Sequence, residues 1–239
     1  MAATLDELLK LIDVPETNKS TPIKDSEAHF LHNFVKENGI KKTAETGCGY
    51  GKSAIAIMSA TGNGHIIMDP FQSFYKYGGV NNIKKAGFGD KLDFQEDYSH
   101  NVLPRLADKK EKFDFIFIDG NHRFDGIFID YYYTDFLLNP GGYFMFHDTW
   151  MHSTQLVISY IKTNRPDYKV IDSPLRNITI FQKKVGEQDK RDGMFHKGFY
   201  TNKSWLTHHL IMWLTEGEQT GLKKLVYKLK DIYTKVKPK

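Results

Sequence analysis

Residues 45–53 read ETGCGYGKS, a stretch in which glycine occupies every second position from 47 to 51. It lies between a predicted strand and a predicted helix, where many nucleotide-binding folds carry a glycine-rich turn. A P-loop requires G-x-x-x-x-G-K-[ST]; Gly51, Lys52 and Ser53 match its end, but Thr46 stands where the first glycine is required. The dinucleotide fingerprint G-x-G-x-x-G does not fit either, because the third glycine comes one residue too early.

The spacing of Gly47, Gly49 and Gly51 resembles motif I of the class I S-adenosylmethionine (SAM)-dependent methyltransferases, E/D-x-G-x-G-x-G, and Glu45 fills its acidic position. SAM has no phosphate to place at a helix N-terminus, but its cationic amino group can be neutralised by a carboxylate such as that of Glu45. Glycines let the backbone come close to the methionine portion. The resemblance therefore implies SAM as the cofactor.

The segments around this stretch alternate between strand-like and helix-like patterns. Strands are predicted at 41–46, 64–69, 91–95, 113–119, 142–147, 168–172 and 177–183, and helices at 51–60, 80–88, 101–110, 123–138 and 152–164. Such alternation is typical of a mainly parallel sheet with helices on both faces. Residues 173–176 are too few for a helical crossover, so the last two strands should be antiparallel. We expect an α/β fold with the seven-stranded, Rossmann-like methyltransferase sheet and its antiparallel last strand.

Two further regions flank this core. Helices are predicted at 4–12 and at 26–38, before the first strand, and the alternation stops after residue 184. The sequence thus predicts three parts: an N-terminal helical segment at 1–40, a SAM-binding core at 41–184, and a helical C-terminal extension at 185–239.

Composition and length favour a soluble enzyme-sized domain. The chain has 239 residues, of which 40% are hydrophobic and 26% charged. The single cysteine, Cys48, cannot form an internal disulfide, which favours a reducing compartment. No secretory h-region and no membrane-length apolar run is present, so we expect a cytoplasmic protein.

The distribution of charge excludes one class of partner. The net charge is +4, but residues 221–239 alone carry seven lysines and one aspartate, so the rest of the chain is slightly acidic. Nucleic-acid binders usually carry their basic charge on the folded face, so no nucleic-acid partner is expected. In the tail, apolar residues at helical spacing predict a basic amphipathic helix. It would contact an anionic membrane peripherally or dock on the body or on a second subunit of a homo-oligomer, and these alternatives stay open.

Acidic residues also follow the second and third predicted strands. Asp69 lies 18 residues after Gly51, where an acidic residue in such folds binds the ribose hydroxyls. The alternative is that it only caps a turn before Pro70. After the third strand, the resemblance implies adenine contacts from Asp97 and Tyr98.

The fourth and fifth predicted strands each end in a carboxylate with an imidazole nearby. Asp119 is followed three residues later by His122, and the fifth strand ends in His147 and Asp148. Ligands of open α/β sheets bind outside the carboxyl ends of the strands, so these side chains should meet beside the SAM site. The simpler interpretation is turn and cap chemistry, for which Asp-Gly-Asn and Asp-Thr are well suited.

Residues 113–149 resemble the bacterial small-molecule methyltransferases, which include metal-dependent macrolide-sugar O-methyltransferases and are related to cephalosporin-hydroxylase-like proteins. The resemblance implies that Asp119, His147 and Asp148 hold a divalent cation, Mg²⁺ or Mn²⁺, and that His122, with Asp119, is catalytic as the general base. His147 departs from the family, which has glutamate there, and imidazole suits softer ions than Mg²⁺.

These features predict a SAM-dependent O-methyltransferase that acts on a hydroxyl of a small molecule, a sugar or glycoside, with divalent-metal assistance. A cation chelated by vicinal hydroxyls lowers the acceptor pKa, and His122 takes the proton. Two alternatives remain: metal-independent methylation of another small nucleophile, such as a catechol or an amine, and a non-catalytic SAM-fold binding subunit. The intact glycine motif disfavours the latter.

Overall fold

The computed structural model describes residues 3–187 and 197–199, which form a sheet with helices on both faces. The helices are α1 (Leu5–Leu9), α2 (Asp25–Glu37), α3 (Lys52–Thr61), α4 (Gly78–Lys85), α5 (Ser99–Asp108), α6 (Phe124–Leu137) and α7 (His152–Asn164), with 3₁₀ turns at Glu16–Asn18 and Gly89–Lys91. The strands are β1 (Thr43–Thr46), β2 (His65–Met68), β3 (Leu92–Gln95), β4 (Phe113–Ile118), β5 (Leu138–Phe146), β6 (Tyr168–Ile171) and β7 (Thr179–Lys183).

The seven strands follow the order β3-β2-β1-β4-β5-β7-β6. The first five pair in parallel, whereas β7 is antiparallel to both β5 and β6. The predicted seven-stranded sheet with an antiparallel last strand is therefore confirmed. The strand order reverses between β1 and β4, and ligands of open α/β sheets bind at such a switch point. This topology sets the glycine loop after β1 directly beside the end of β4.

The core explains why β4 is apolar without interruption from Phe115 to Ile118. Ile116 and Ile118 face a cluster that includes residues of α5, α6 and α7, while Phe115 and Phe117 face the cluster formed with α2 and α3. Both faces of the strand are covered, so apolar residues do not alternate with polar ones. The N-terminal helix α2 belongs to this packing, with Leu31 fully buried.

The described residues 3–187 belong to one compact unit, which includes the described part of the predicted N-terminal segment and the predicted core. The predicted extension at 185–239 lies almost entirely outside the described residues, as does the basic tail at 221–239. Its helix and its membrane or subunit contacts stay predictions. Within the described ranges, no helix combines the length and the hydropathy that crossing a membrane requires.

Candidate active site

The glycine loop after β1 depends on backbone shapes and close contacts that only glycine accepts. Gly47, Gly49 and Gly51 all have positive φ, at 87°, 48° and 77°. A Cβ on Gly47 would lie 2.3 Å from the carbonyl oxygen of Asp119, and one on Gly51 would lie 2.8 Å from the carbonyl oxygen of Gly79. The glycines therefore pack the loop against β4 and α4, in addition to the predicted approach to a ligand.

Asp69, at the end of β2, holds this loop in place. Its Oδ2 accepts hydrogen bonds from the backbone N–H groups of Cys48 at 2.9 Å and Gly49 at 3.3 Å. Its Oδ1 accepts from the N–H of Phe71 at 2.7 Å, and the side chain of Gln72 also donates to Oδ2. Asp69 lines the cavity described below, and Oδ1, which accepts a single hydrogen bond, keeps a further lone pair. Ribose binding by Asp69 stays a prediction alongside this observed structural role.

Glu45 lies behind the loop, inside the sheet. Its side chain is fully buried, with Oε2 3.6 Å from Nε2 of His65, and it is not part of the cavity wall. Burial raises the pKa of Glu45, although the nearby imidazole of His65 opposes this. Glu45 therefore adds no surface to the cavity, and its predicted contact with the amino group of SAM stays a prediction.

Of the two predicted adenine residues, the structure brings Tyr98 to the cavity and leaves Asp97 outside it. Tyr98 lines the cavity, and its ring meets that of Phe71 edge to face at 5.9 Å. The carboxylate of Asp97 accepts from the side chains of Asn101 at 2.8 Å and Arg105 at 2.9 Å. Asp97 therefore stabilises the N-terminal part of α5 by accepting these hydrogen bonds.

The ends of β4 and β5 meet as predicted. Because the two strands pair in parallel, with Ile118 opposite Phe146, the residues that follow them are neighbours. Nε2 of His122 lies 3.2 Å from Oδ2 of Asp148 and 3.8 Å from Oδ1 of Asp119. These three side chains offer ligand atoms that all lie within 4.8 Å of one another. Asp148 itself has φ 51°, a left-handed conformation that aspartate tolerates better than most residues.

His147 turns away from this group, which differs from its predicted position as a metal ligand. Its Nδ1 lies 3.1 Å from Oδ1 of Asp119, and its Nε2 lies 3.2 Å from Oε2 of Glu27 in α2. Both ring nitrogens thus already face carboxylates, and the side chain is only 9% exposed. The converging set is Asp119, His122 and Asp148.

The electrostatics of this group follow from its two carboxylates. The nearby carboxylates of Asp119 and Asp148 raise the pKa of His122 to about 9. The same contact with His122 lowers the pKa of Asp148 to about 2, although burial opposes the shift. His122 therefore holds its proton at neutral pH in this arrangement. Two carboxylates and one imidazole nitrogen at this spacing are a donor set that suits a divalent cation.

Two further residues complete the group, and the sequence did not indicate either. The buried Glu27 accepts, through Oε1, a hydrogen bond of 3.1 Å from Nδ2 of Asn177. The same amide nitrogen lies 2.9 Å from Nε2 of His147. An acidic residue in the first turn of a helix usually indicates a capping role. Glu27 has that role too, because it accepts a hydrogen bond of 2.8 Å from the N–H of Lys24. Only the fold shows that it also reaches the strand ends.

One cavity of about 1340 Å³ connects these groups. Its walls come from the glycine loop, from the strand ends and from the segment between residues 9 and 24. That segment is fixed by hydrogen bonds between the backbone of Asp13 and the side chain of Asn82, and between Asn18 and Tyr50. A single drug-sized ligand fills roughly 300–1,000 Å³, so this cavity has room for a cofactor and an acceptor together.

Comparison with known proteins agrees with this architecture. The family model described as O-methyltransferase matches residues 2–189. Caffeoyl-CoA O-methyltransferase 2 from Zea mays is 31% identical over 176 residues, which cover 67% of this chain and 65% of the maize protein. Tricin synthase 2 from Oryza sativa subsp. japonica is 30% identical over 117 residues, 47% of this chain and 40% of the rice protein. The matched part spans less than two thirds of either relative.

Solved structures share the fold at low identity. The SAH-bound methyltransferase PaMTH1 from Podospora anserina has a TM-score of 0.63 at 17% identity, over 75% of this chain and 87% of that one. The O-methyltransferase from Bacillus cereus in complex with SAH has a TM-score of 0.62 at 16% identity, over 75% and 90%. These likenesses show the fold, whereas the family match spans most of the sequence. On these grounds, the chain belongs to the O-methyltransferase family, with the class I methyltransferase fold.

Proposed function

We propose that this protein transfers the methyl group of SAM to a hydroxyl of a small molecule, with assistance from a divalent cation. The observation that carries the proposal is the convergence of Asp119, His122 and Asp148 in the same cavity as the glycine loop. The contact between Gly47 and the backbone of Asp119 brings the loop and these side chains together. Family membership and the SAH-bound structural neighbours support SAM as the cofactor.

The acceptor we propose carries two neighbouring hydroxyls, as sugars and glycosides do. A second acceptor class is the catechols, because the relatives are named as caffeoyl-CoA O-methyltransferases. Both classes present the same vicinal oxygens to the site. The chemistry at the carboxylates is therefore common to the two, and the rest of the cavity selects between them.

The residues divide the work by position. Asp119 and Asp148 would hold the cation, which when bound lowers the pKa of a coordinated hydroxyl. The Asp119 and Asp148 charges keep His122 protonated in this structure. A bound cation would offset those charges, and Nε2 of His122 would then take the proton from the acceptor oxygen as a general base. His147, held by Glu27, fixes the Asp119 carboxylate. Methyl transfer requires the acceptor oxygen to approach the sulfonium in line, so positioning by the cavity walls would supply much of the rate.

The cofactor assignment is tested by calorimetry with the full chain and S-adenosylhomocysteine, with NAD and ATP as controls. We expect binding of S-adenosylhomocysteine alone. The absence of heat with S-adenosylhomocysteine, or clear binding of NAD, contradicts the cofactor assignment.

The acceptor assignment is tested by incubating the chain with SAM and a panel of catechols, sugars and glycosides, with Mn²⁺, with Mg²⁺ or with a chelator. We expect a methylated product, identified by mass, from at least one vicinal diol, and its loss with the chelator. Methylation that is equally fast with the chelator refutes the metal assistance, and methylation of amines alone refutes the proposed acceptor.

A further inference from the structure

A carboxylate is buried behind the cavity wall without a hydrogen-bond partner. Asp130, in α6, is fully buried, and within the described part of the chain neither oxygen of its side chain takes part in a hydrogen bond. Acidic side chains are rarely buried unless they are paired. Because native proteins leave few buried polar groups unsatisfied, this one calls for an explanation.

The side chains around Asp130 belong to the cavity wall. The hydroxyl groups of Ser99, the first residue of α5, and of Thr46, the last residue of β1, approach its carboxylate. Both residues line the cavity, and so does Gly126, one helical turn before Asp130 in α6. Asp130 itself does not line the cavity. It therefore lies behind the part of the wall to which β1, α5 and α6 contribute.

Thr46 also has an unsatisfied polar group. Its Oγ1 is buried and has no hydrogen-bond partner among the residues that the structure describes. Its backbone, in contrast, is held firmly, because its carbonyl oxygen accepts a hydrogen bond of 3.1 Å from the N–H of Asp119. A hydroxyl can donate to a carboxylate, and an ionised carboxylate can accept from several donors. The unpaired groups of Thr46 and Asp130 are thus complementary.

The charge of Asp130 is sensitive to these hydroxyls. Burial raises the pKa of its carboxyl group to about 6, although the side chains of Ser99, Thr46 and His100 oppose this. Thr46 faces the carboxylate from β1, and Ser99 and His100 face it from α5, so the imidazole is the one titratable group among the three. Complete hydrogen bonds from the two hydroxyls would stabilise the ionised form and lower this pKa.

We infer that Asp130 is a positioning residue for the cofactor: its ionised carboxylate accepts hydrogen bonds from the hydroxyls of Thr46 and Ser99 when SAM binds, and so fixes both wall segments against the cofactor. A group that joins two wall segments from behind reduces the freedom that each of them loses on binding. The inference rests on the proposed function, because it requires SAM to bind in this cavity.

The test measures the affinity of the full-length protein for S-adenosylhomocysteine by calorimetry at pH 7 and at pH 5. Binding favours the ionised carboxylate, so affinity is present above the pKa of about 6 and is lost as the pH falls through it. We expect the Kd of the wild type to rise about tenfold from pH 7 to pH 5. At pH 6, titrations in buffers of different ionisation enthalpy should show the release of about half a proton per ligand.

Variants locate this effect at Asp130. Asp130→Asn cannot ionise, so its Kd at pH 7 should be roughly three- to tenfold higher than that of the wild type. Its dependence on pH and its proton release should be largely lost. Ser99→Ala keeps the carboxylate but removes one donor, and should raise the Kd at pH 7 by a similar factor.

Two controls separate this role from stability and from other titrating groups. Asp135→Asn removes another acidic residue of α6, one that pairs with Arg165, and should keep the dependence of Kd on pH even if the protein is less stable. His100→Gln should also keep it, which excludes the neighbouring imidazole as its source. Melting temperatures verify that each variant is folded.

The outcomes distinguish this inference from the proposed function. Wild-type protein that does not bind S-adenosylhomocysteine contradicts the cofactor assignment and the inference with it. Wild-type binding with the same pH dependence in Asp130→Asn, or with an unchanged Kd at pH 7 in that variant, overturns the inference alone. If Asp130→Asn does not fold, Ser99→Ala decides, and an unchanged Kd in that variant overturns the inference.

Discussion

The carboxylate of Glu27, near the start of α2, lies 3.2 Å from Nε2 of His147 at the end of β5, and Nδ1 of the same imidazole lies 3.1 Å from Asp119. His147 therefore links an N-terminal helix to the carboxylate that we place beside the acceptor. Groups that orient a functional side chain typically change activity about 10–100-fold when they are altered. We expect Glu27→Gln to lower kcat by about this factor, because the glutamine keeps the shape but loses the charge that holds the imidazole.

The matched control is Glu37→Gln, at the exposed end of the same helix. It should leave kcat and the melting temperature unchanged. The affinity for S-adenosylhomocysteine, measured by calorimetry, should also be unchanged in Glu27→Gln. A Glu27→Gln protein with a lowered melting temperature and normal kcat per folded molecule would show that this contact serves stability alone.

His122 is expected to carry the proton transfer. Its Nε2 lies 3.2 Å from Asp148 and its side chain is 46% exposed, so the imidazole can meet an acceptor oxygen in the cavity. His122→Ala should lower turnover by about 10²–10⁴-fold, the usual contribution of a general base, with little change in SAM affinity. The control is His29→Ala, whose imidazole pairs with Asp6 on the outside of α2. Turnover within a factor of two of the wild type in His122→Ala rules out the base role.

Asp148 is expected to be required for the cation. Asparagine tolerates the left-handed φ of 51° at this position, so Asp148→Asn removes the charge without new backbone strain. We expect Mn²⁺ binding, measured by electron paramagnetic resonance, to fall below detection, and turnover to be lost with it. Asp172→Asn, an exposed residue after β6, is the control. Soaked crystals of the wild type provide a direct check, since an anomalous manganese peak must lie between Asp119 and Asp148.

The close contact at Gly47 gives a prediction that separates backbone strain from packing. Gly47 and Gly39 both have positive φ, but a Cβ on Gly39 meets nothing within 4 Å, whereas one on Gly47 meets the carbonyl of Asp119. Gly39→Ala should therefore lower the free energy of unfolding by roughly 1 kcal/mol, through local backbone strain alone. Gly47→Ala should in addition displace the loop and weaken S-adenosylhomocysteine binding by more than tenfold. Equal effects of the two variants on affinity would contradict the packing role.

Asp135 gives a prediction about acid stability. Burial raises its pKa, but the hydrogen bonds from Arg165 and Tyr168 outweigh this and lower it to about 2. Because the folded pKa lies below the unfolded value near 4, the stabilisation is present above pH 4 and is lost as the pH falls from 4 to 2. A pKa shift of this size corresponds to roughly 2–3 kcal/mol in the free energy of unfolding.

We therefore expect Asp135→Asn to unfold more readily at pH 7 and to lose less further stability between pH 4 and pH 2 than the wild type does. Asp125→Asn, an exposed position on the same helix, should follow the wild-type curve. Urea unfolding followed by circular dichroism across this range measures both effects. Parallel pH profiles of Asp135→Asn and the wild type would show that the ion pair does not control acid unfolding.

The sheet could be predicted because its determinants are local. Apolar runs such as 115–118 and the short connection at 173–176 indicate strands and an antiparallel hairpin without knowledge of the packing. The insertion of β7 between β5 and β6 has no such signal, since strand pairing depends on which surfaces meet. The sequence therefore predicted that the ends of β4 and β5 meet beside the glycine loop, but it did not predict the order of strands at the far edge.

Only the part of the candidate site that lies at the ends of the strands could be predicted from the sequence. Asp119, His122 and Asp148 follow directly from the ends of β4 and β5. The orientation of His147 and the position of Glu27 depend on the contact between these two side chains, which are 120 residues apart in the sequence. No local sequence pattern indicates such a contact. The left-handed turn at Asp148 is likewise set by the assembled fold.

The segment between residues 9 and 24 forms a wall of the cavity without being part of the β–α alternation. Hydrogen bonds with Asn82 and Tyr50 fix this segment at Asp13 and Asn18, and neither partner belongs to the sheet. Binding surfaces built on such connections tolerate change better than the elements that support them. Substitutions in this segment can therefore change the acceptor preference, in evolution or by redesign in the laboratory. The glycine loop and the residues at the strand ends need not change with it.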